Sequence, residues 1–134
     1  MKTLSTLVVA AFLAQAAPGF AEAPKKVVAS PALQKEFDGF IAKFRAALKA
    51  NDADAVATMT RLPFDDARDA AQFRSKIYAA NFNAKNRTCL QRGKATYDRD
   101  GENNDNYFIF CGSHIFTFTK TPAGFLFTEI GEND

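Results

Sequence analysis

The spacing of apolar residues changes once along this chain, and the change restricts the folds that the sequence can adopt. Over residues 31–48 the large apolar residues recur every three or four positions, which is typical of one face of an amphipathic helix. They are Leu33, Phe37, Phe40, Ile41, Phe44 and Leu48. From about Arg92 onward, apolar and polar residues alternate, which is typical of half-buried strands. The sequence therefore predicts an α+β domain in which N-terminal helices pack on one face of a curved antiparallel sheet.

Local signals place three helices before the sheet. Ser30 and Pro31 suit the N-cap and the first position of the long helix. A short second helix is expected after Asn51 or Asp52, because either side chain can cap its first turn. A third helix is expected over residues 65–82, where apolar residues again recur with a helical period.

The remainder of the domain is expected to be extended. Residues 60–64, TRLPF, are expected to form a short extended segment that Pro63 keeps out of the middle of a sheet. The alternating segments predict four strands joined by tight turns, that is, an antiparallel meander. These strands are expected at 92–100, 106–111, 113–120 and 124–130.

Residues 1–23 have the layout of a cleaved signal peptide. Lys2 gives a basic start, and the apolar run 4–17 is too short to span a bilayer. Ala21 and Ala23 supply the small residues that precede a cleavage site. An amphipathic first helix is the alternative, but the run lacks a polar stripe of helical period. We therefore expect cleavage after Ala23, followed by export to a bacterial periplasm or secretion.

The chain beyond the signal peptide is expected to contain one domain. Residues 24–31 are expected to form an extended leader, and residues 32–134 a single domain that is long enough to enclose one core. The formal net charge is +2, and the basic residues are interleaved with the acidic ones. Because no basic cluster is present, neither nucleic acid nor a membrane surface is expected as a partner. No membrane anchor is expected, because no cysteine directly follows the cleavage site and no later stretch is apolar for long enough to span a membrane.

The cysteines favour a disulfide over a metal site. Cys89 and Cys111 are the two cysteines of the chain, and in an exported protein they are expected to be bonded to each other. With His114 as the single histidine, no zinc site is expected. Residues 98–105, DRDGENND, are interpreted as a polar hairpin turn, because the position of the glycine does not fit a calcium loop. No phosphate-binding or dinucleotide-binding motif occurs, so no cofactor is expected.

Two segments resemble a known superfamily. FRAALKANDADAVATMTRLPF (44–64) is similar to its pattern of a long helix, an Asn-Asp corner, a second helix and a short proline-containing strand. FIFCGSHIFTFTKTPAGFLFTEI (108–130) is similar to its closing strands. On these segments the chain resembles the nuclear-transport-factor-2-like superfamily, the cystatin-like fold of ketosteroid isomerase, scytalone dehydratase and polyketide cyclases. The resemblance implies a cone of helices and curved sheet whose open end forms a pocket. Members use that pocket for catalysis, small-molecule binding or protein contacts.

The residues that face such a pocket decide which use is expected. His114, Phe116 and Phe118 share one face of a strand by alternation. If that face lines the cone, an imidazole beside an aromatic wall can anchor a ligand, whereas if the face packs on the helices, His114 is structural. The residues expected to bind a ligand are His114, Phe116, Phe118, Tyr78 and Tyr107. The expected function is non-enzymatic binding of a small apolar ligand or of a protein partner, with a homodimer through the sheet as one form of partner.

The alternative is a lyase or isomerase of the ketosteroid isomerase and polyketide cyclase type. Its catalytic candidates are His114, Asp65 and Tyr107, because such chemistry needs a proton acceptor and a hydroxyl donor inside the cone. The chain departs from that pattern, since no paired acidic residues can be placed. Asp65 and Asp66 are otherwise interpreted as exposed residues at the start of the third helix. An inhibitor or immunity-type protein for an exported toxin or hydrolase is a further alternative.

Overall fold

The computed structural model describes residues 26–134, in which helices precede a four-stranded antiparallel sheet, as the sequence predicts. The helical elements are α1 (Pro31–Lys49), α2 (Ala53–Thr58), α3 (Ala70–Gln72), a π-helical turn (Phe73–Tyr78), α4 (Ala79–Asn81) and α5 (Ala84–Arg92). The strands are β1 (Thr96–Arg99), β2 (Asp105–Cys111), β3 (His114–Thr121) and β4 (Gly124–Glu132). The predicted signal peptide lies outside the described residues.

Helix α1 begins where its capping residues predict. The Ser30 hydroxyl oxygen accepts a hydrogen bond from the backbone N–H of Leu33 at 3.2 Å, and Pro31 occupies the first turn. The predicted apolar stripe faces the sheet. The residues of α1 that the core buries are Phe37, Ile41, Phe44, Ala47 and Leu48. The helix is followed by Asn51, whose φ of 50° turns the chain toward α2.

The third helix starts later than the sequence predicts. Phe64 and Ala67 exchange two backbone hydrogen bonds of 2.8 Å each, which closes a tight turn around Asp65 and Asp66. Asp65 has a φ of 47°, a left-handed conformation that a helical first turn cannot contain. The prediction that Asp65 and Asp66 lie at the helix N-cap is therefore wrong, because the turn places them before the helix.

Asp69 is the residue that caps this helix. Its carboxylate accepts the backbone N–H of Gln72 at 2.9 Å, so helical structure begins at Ala70. The π-helical turn in the middle presents Phe73, Ile77 and Tyr78 to the core.

Helix α5 was not predicted, because its sequence carries almost no apolar stripe. Only Asn86 and Leu90 of its residues are buried, so its hydrophobic period is too weak to detect. The half-buried Arg45 of α1 holds the end of α5 by donating to the carbonyl oxygens of Leu90 at 3.0 Å and Gly93 at 2.6 Å. These contacts satisfy carbonyl groups that the helix itself leaves free. Because α5 continues to Arg92, strand β1 is shorter than predicted.

The four strands form a meander in the order β1-β2-β3-β4. Each strand pairs with the next in antiparallel fashion, and a bulge interrupts the β3–β4 pairing between Thr117 and Phe118. The outer edge of β4 is partly covered by the segment after α2, since Thr60 forms a parallel bridge with Phe127. One face of the sheet packs on the helices, and the opposite face is called the outer face below.

The core between helices and sheet is built from aromatic rings around Phe127. This fully buried ring lies with its centroid 5.0–6.5 Å from six other phenylalanine rings. These rings belong to Phe44, Phe64, Phe73, Phe82, Phe116 and Phe118. They come from α1, the turn before α3, the π-helical turn, the end of α4 and β3, so one side chain connects most elements of the domain.

A disulfide joins helix α5 to strand β2. The sulfur atoms of Cys89 and Cys111 are bonded across 22 positions of sequence. Disulfides form and persist in oxidising compartments, so the bond indicates that the chain folds in one. Within residues 26–134, no helix has both the length and the apolar composition that crossing a membrane requires.

We expect the replacement Phe127→Ala to lower the free energy of unfolding by about 3–5 kcal/mol, because it removes the ring on which six others pack. Urea unfolding followed by circular dichroism would measure the change. Phe110→Ala is the matched control, since Phe110 is 50% exposed on the outer face and its loss should cost about 1 kcal/mol or less. Equal losses in the two variants would contradict the central role of Phe127.

We expect replacement of both Cys89 and Cys111 by serine to lower the free energy of unfolding by roughly 3 kcal/mol, because the unfolded chain regains the freedom of the closed loop. The same urea experiment measures this loss. Labelling of the unreduced, folded wild-type protein with a thiol reagent is the control. Detection of free thiol would show that the bond is not formed in solution.

Candidate functional site

The strand face that carries three of the predicted ligand-binding residues packs on the helices. Phe116 and Phe118 have 0% exposure. The Phe118 ring centroid lies 5.0 Å from that of Phe44, and the Phe116 centroid lies 5.5 Å from that of Phe82. These two side chains are therefore part of the core, and a ligand does not reach them in this arrangement. Of the two alternatives for this face, the structure has the one in which it contacts the helices.

Tyr107 and Tyr78 are buried by ring stacking and keep their hydroxyl groups bonded. The Tyr107 ring stacks on Phe37 with centroids 3.7 Å apart, and its hydroxyl donates to the Gln34 side chain at 2.8 Å. The Tyr78 hydroxyl donates to the Asn51 side chain at 2.7 Å. Burial raises the pKa of Tyr107 to about 12 and also raises the pKa of Tyr78. Both hydroxyls thus stay protonated and hold α1 and its C-terminal turn in place.

His114 lies toward the opposite end of the β2–β3 pair from Tyr107. It begins β3, pairs with Cys111 on one side and Glu132 on the other, and is half-buried. Its ring contacts Phe116 edge to face, with centroids 6.2 Å apart. Its Nδ1 atom is buried and has no hydrogen-bond partner within the described residues.

Two of the three catalytic candidates, His114 and Tyr107, are far apart. Tyr107 pairs with Phe118, whereas His114 pairs with Cys111, so the two candidates are four residues apart along the same strand pair. Four residues of strand span roughly 13 Å, which is far beyond hydrogen-bond reach. Asp65 lies exposed in the turn before α3. Proton transfer between His114 and Tyr107 would therefore require a rearrangement of the sheet.

A surface groove runs between α1 and the β3–β4 hairpin, and we call it the α1–β4 groove. It has a volume of about 650 Å³. The α1 residues that line it are Ala32, Lys35, Glu36, Gly39, Phe40 and Lys43. Thr58, Met59, Ala123, Gly124, Phe125 and Leu126 line its other walls. The volume lies within the range of roughly 300–1,000 Å³ that is typical of small-molecule sites.

The floor of the groove is apolar. Phe40 and Met59 are half-buried there, and the buried Phe125 ring lies 6.2 Å from the Phe40 ring. Gly39 leaves the middle of the groove open, because a Cβ atom built on it has no atom within 4 Å. An apolar body laid in the groove would therefore cover side chains that water now contacts.

The rim of the groove is positively charged. Glu36 forms an ion pair with Lys120, and the Lys120 ammonium also lies 5.9 Å above the Phe125 ring. Lys35 and Lys43 are exposed at the rim and form no ion pair within the described residues. After the pairing of Glu36, two lysine charges remain to act on a ligand in the groove.

The sequence did not predict the groove, because its walls come from segments that are far apart along the chain. Hydrophobic period assigns Phe40 to the core stripe of α1, yet this side chain lies at the margin of the stripe and stays half-exposed. The sequence signal that could have indicated the groove is Gly39, a residue that weakens an exposed helix and therefore calls for an explanation.

Comparison of the chain with protein-family models, with curated proteins and with solved structures gave no match. Across residues 26–134, no three or more histidine, cysteine, aspartate or glutamate side chains are grouped so that they could hold a metal ion.

We expect the stability that Tyr107 contributes to be lost as the pH rises from about 10 to about 12. The folded-state pKa of Tyr107, about 12, exceeds the ordinary value near 10. The stability contributed by Tyr107 is therefore complete below pH 10. It falls between pH 10 and pH 12, where the Tyr107 hydroxyl is ionised in the unfolded chain but still protonated in the folded protein. The measurement is the difference in unfolding free energy between wild type and Tyr107→Phe across this pH range. The difference should shrink with rising pH, and a constant difference would show that the hydroxyl is not shielded from water.

Proposed function

We propose that this protein is a non-enzymatic binding domain of a periplasmic or otherwise extracellular compartment. We further propose that the α1–β4 groove holds a small amphipathic ligand with an apolar body and an anionic group. The observation that carries the proposal is the apolar floor beneath two lysines that have no ion-pair partner within residues 26–134. The Cys89–Cys111 disulfide supports the compartment, because such bonds persist where the environment is oxidising.

The apolar floor supplies the larger part of the expected affinity. Covering apolar surface contributes roughly 25 cal/mol for each Å² removed from water. Phe40 and Met59 already pack against the core, so a ligand that covers them orders few additional side chains. Aromatic rings of the protein fill its interior. Because the groove lies at the surface, binding there requires no opening of this core.

The two lysines supply the preference for an anionic group. Lys35 and Lys43 are eight residues apart on the exposed flank of α1, so both project on the same side of the groove. Exposed charge pairs contribute little to affinity, about 1 kcal/mol or less each. Their main effect would be to orient the ligand and to favour anions over neutral molecules of equal size.

We also propose that the domain has the nuclear-transport-factor-2-like fold and that the α1–β4 groove is the opening of its cone. The support is the element order, in which a long helix, a second helix and an extended proline-containing segment precede an antiparallel meander. The groove lies between the long helix and the sheet, and helices and sheet are the parts that form the cone in the superfamily. In this chain aromatic side chains occupy the space deeper in the cone.

We expect decanoate to bind wild-type protein and Gly39→Ala, but not Gly39→Glu. The open space at Gly39 accepts a side chain without a clash, and the glutamate adds both bulk and negative charge inside the groove. Gly39→Ala is the matched control, and it should raise the unfolding free energy by about 0.5–1 kcal/mol because alanine favours the helix. Titration followed by two-dimensional amide NMR measures binding. Equal binding by the two Gly39 variants would overturn the proposed site.

A pair of charge reversals tests the preference for anions. The double variant Lys35→Glu/Lys43→Glu should weaken decanoate binding at least about tenfold and should change decanol binding little. The double variant Arg68→Glu/Lys85→Glu carries the same net charge with both changes at exposed positions outside the groove. Equal effects of the two double variants would show that only the overall charge matters and would remove the role of the rim.

A further inference from the structure

The outer face of the sheet contains a second depression, which shares no lining residue with the α1–β4 groove. We call it the polar pit. It has a volume of about 370 Å³, near the lower limit for small-molecule sites. Side chains of the sheet that line it are Asn106, Phe108, Thr117, Thr119, Thr128 and Glu129. Arg61 borders it from the segment beside β4, and Asp100, Glu102 and Asn104 border it from the β1–β2 loop.

The floor of the pit is a rigid arrangement of hydroxyl and amide groups. The Thr119 hydroxyl donates to the Asn106 side-chain oxygen at 2.6 Å and lies 2.8 Å from the Thr128 hydroxyl. Thr128 is the extra residue of the bulge, since Thr117 pairs with Glu129 and Phe118 pairs with Phe127. The bulge therefore adds a polar side chain to the outer face, and bulges are frequent beside binding sites.

Asp100 fixes the wall of the pit and is not available to a ligand. Its carboxylate accepts the backbone N–H groups of Glu102 and Asn104, each at 2.9 Å, and the side-chain amides of Asn104 and Asn106 at 3.0 and 3.1 Å. These four bonds, led by the Asn104 backbone N–H, hold the pKa of Asp100 below its ordinary value. A carboxylate has about four acceptor positions, so all of them are occupied.

Several polar groups of the pit remain free. Thr117 is only 6% exposed, lines the pit and makes no side-chain hydrogen bond within the described residues. Its hydroxyl oxygen is not a buried atom without a partner, so it is open to the pit and can bond there to a ligand or to water. The side chains of Arg61, Glu102 and Glu129 likewise form no ion pair in that part of the chain. The pit thus offers donors and acceptors together, beside the half-buried ring of Phe108.

We propose that the polar pit binds a neutral polyhydroxylated ligand with the size of one or two sugar rings. Sugar hydroxyls both donate and accept, which matches the guanidinium of Arg61, the carboxylate of Glu129 and the hydroxyl of Thr117. The face of a sugar ring carries C–H groups, and the electron-rich face of Phe108 attracts them. The ordered hydroxyl floor means that little of the site must be fixed on binding.

The charges of the pit argue against other ligand classes. Three acidic residues and one basic residue border it, so the net charge is negative and an anion is repelled. A metal ion finds only two free carboxylates, Glu102 and Glu129, because Asp100 is saturated, and residues 26–134 contain no group of three or more side chains that could hold a metal. The pit therefore offers hydrogen-bond donors and acceptors above a floor of hydroxyl groups. This combination suits a neutral ligand with many hydroxyl groups.

The test is a titration of the isotope-labelled protein with maltose, cellobiose and N,N′-diacetylchitobiose, followed by amide NMR. We expect at least one disaccharide to give saturable shifts at Asn106, Thr117 and Thr128. Thr117→Val replaces the hydroxyl with a methyl group of similar size, and Phe108→Ala removes the ring. Each should weaken binding of that disaccharide about tenfold, the loss expected for one interaction of this kind.

Two further variants keep the test decisive. Phe110→Ala removes an exposed ring on the same face but outside the pit, and it should bind as wild type does. Glu129→Ala alters an exposed side chain that the fold does not need, so a loss of binding there cannot come from unfolding. No saturable response to any of the three disaccharides would overturn the proposal, as would unchanged binding by Thr117→Val and Phe108→Ala. A response to spermidine alone would replace it with cation binding.

Discussion

The packing of aromatic rings around Phe127 is the contact on which the rest of the domain depends. Strand β4 by itself is a marginal element, and the helices before it are short or weakly amphipathic, apart from α1. Burying one ring against six others from five parts of the chain joins these elements into a single core. The disulfide and the contact of Arg45 with the end of α5 then fix the one helix that lacks an apolar stripe.

The same packing decides where a ligand can bind. An interior lined by small residues would leave a cavity between helices and sheet, whereas the phenylalanine rings of this chain fill that space. The residues that remain accessible to a ligand are therefore at the margins of the core. Phe40 is the example on the helix side, because it belongs to the apolar stripe of α1 and yet stays half-exposed at the edge of the sheet.

Strand β4 takes part in both proposed sites because its side chains alternate between two faces. Phe125 and Phe127 point toward the helices, and Phe125 closes the floor of the α1–β4 groove. Thr128 and Glu129 border the polar pit on the outer face. The bulge opposite Thr117 lets two neighbouring residues, Thr128 and Glu129, reach that face, which regular alternation would forbid. One strand thus supports an apolar site and a polar site with opposite charges.

The sequence by itself determined the α+β class, the position of α1, the four strands and the pairing partner of each cysteine. The helix and the strands follow from capping residues and from the hydrophobic period, which depend only on residues that are close together in the sequence. The cysteine pairing follows because the chain contains two cysteines. It could not determine that helix α5 exists, that Asp69 rather than Asp65 begins the third helix, or which face of β3 meets the core. Both candidate sites were also decided only by tertiary structure, since each combines side chains from distant segments whose approach depends on how the rings pack around Phe127.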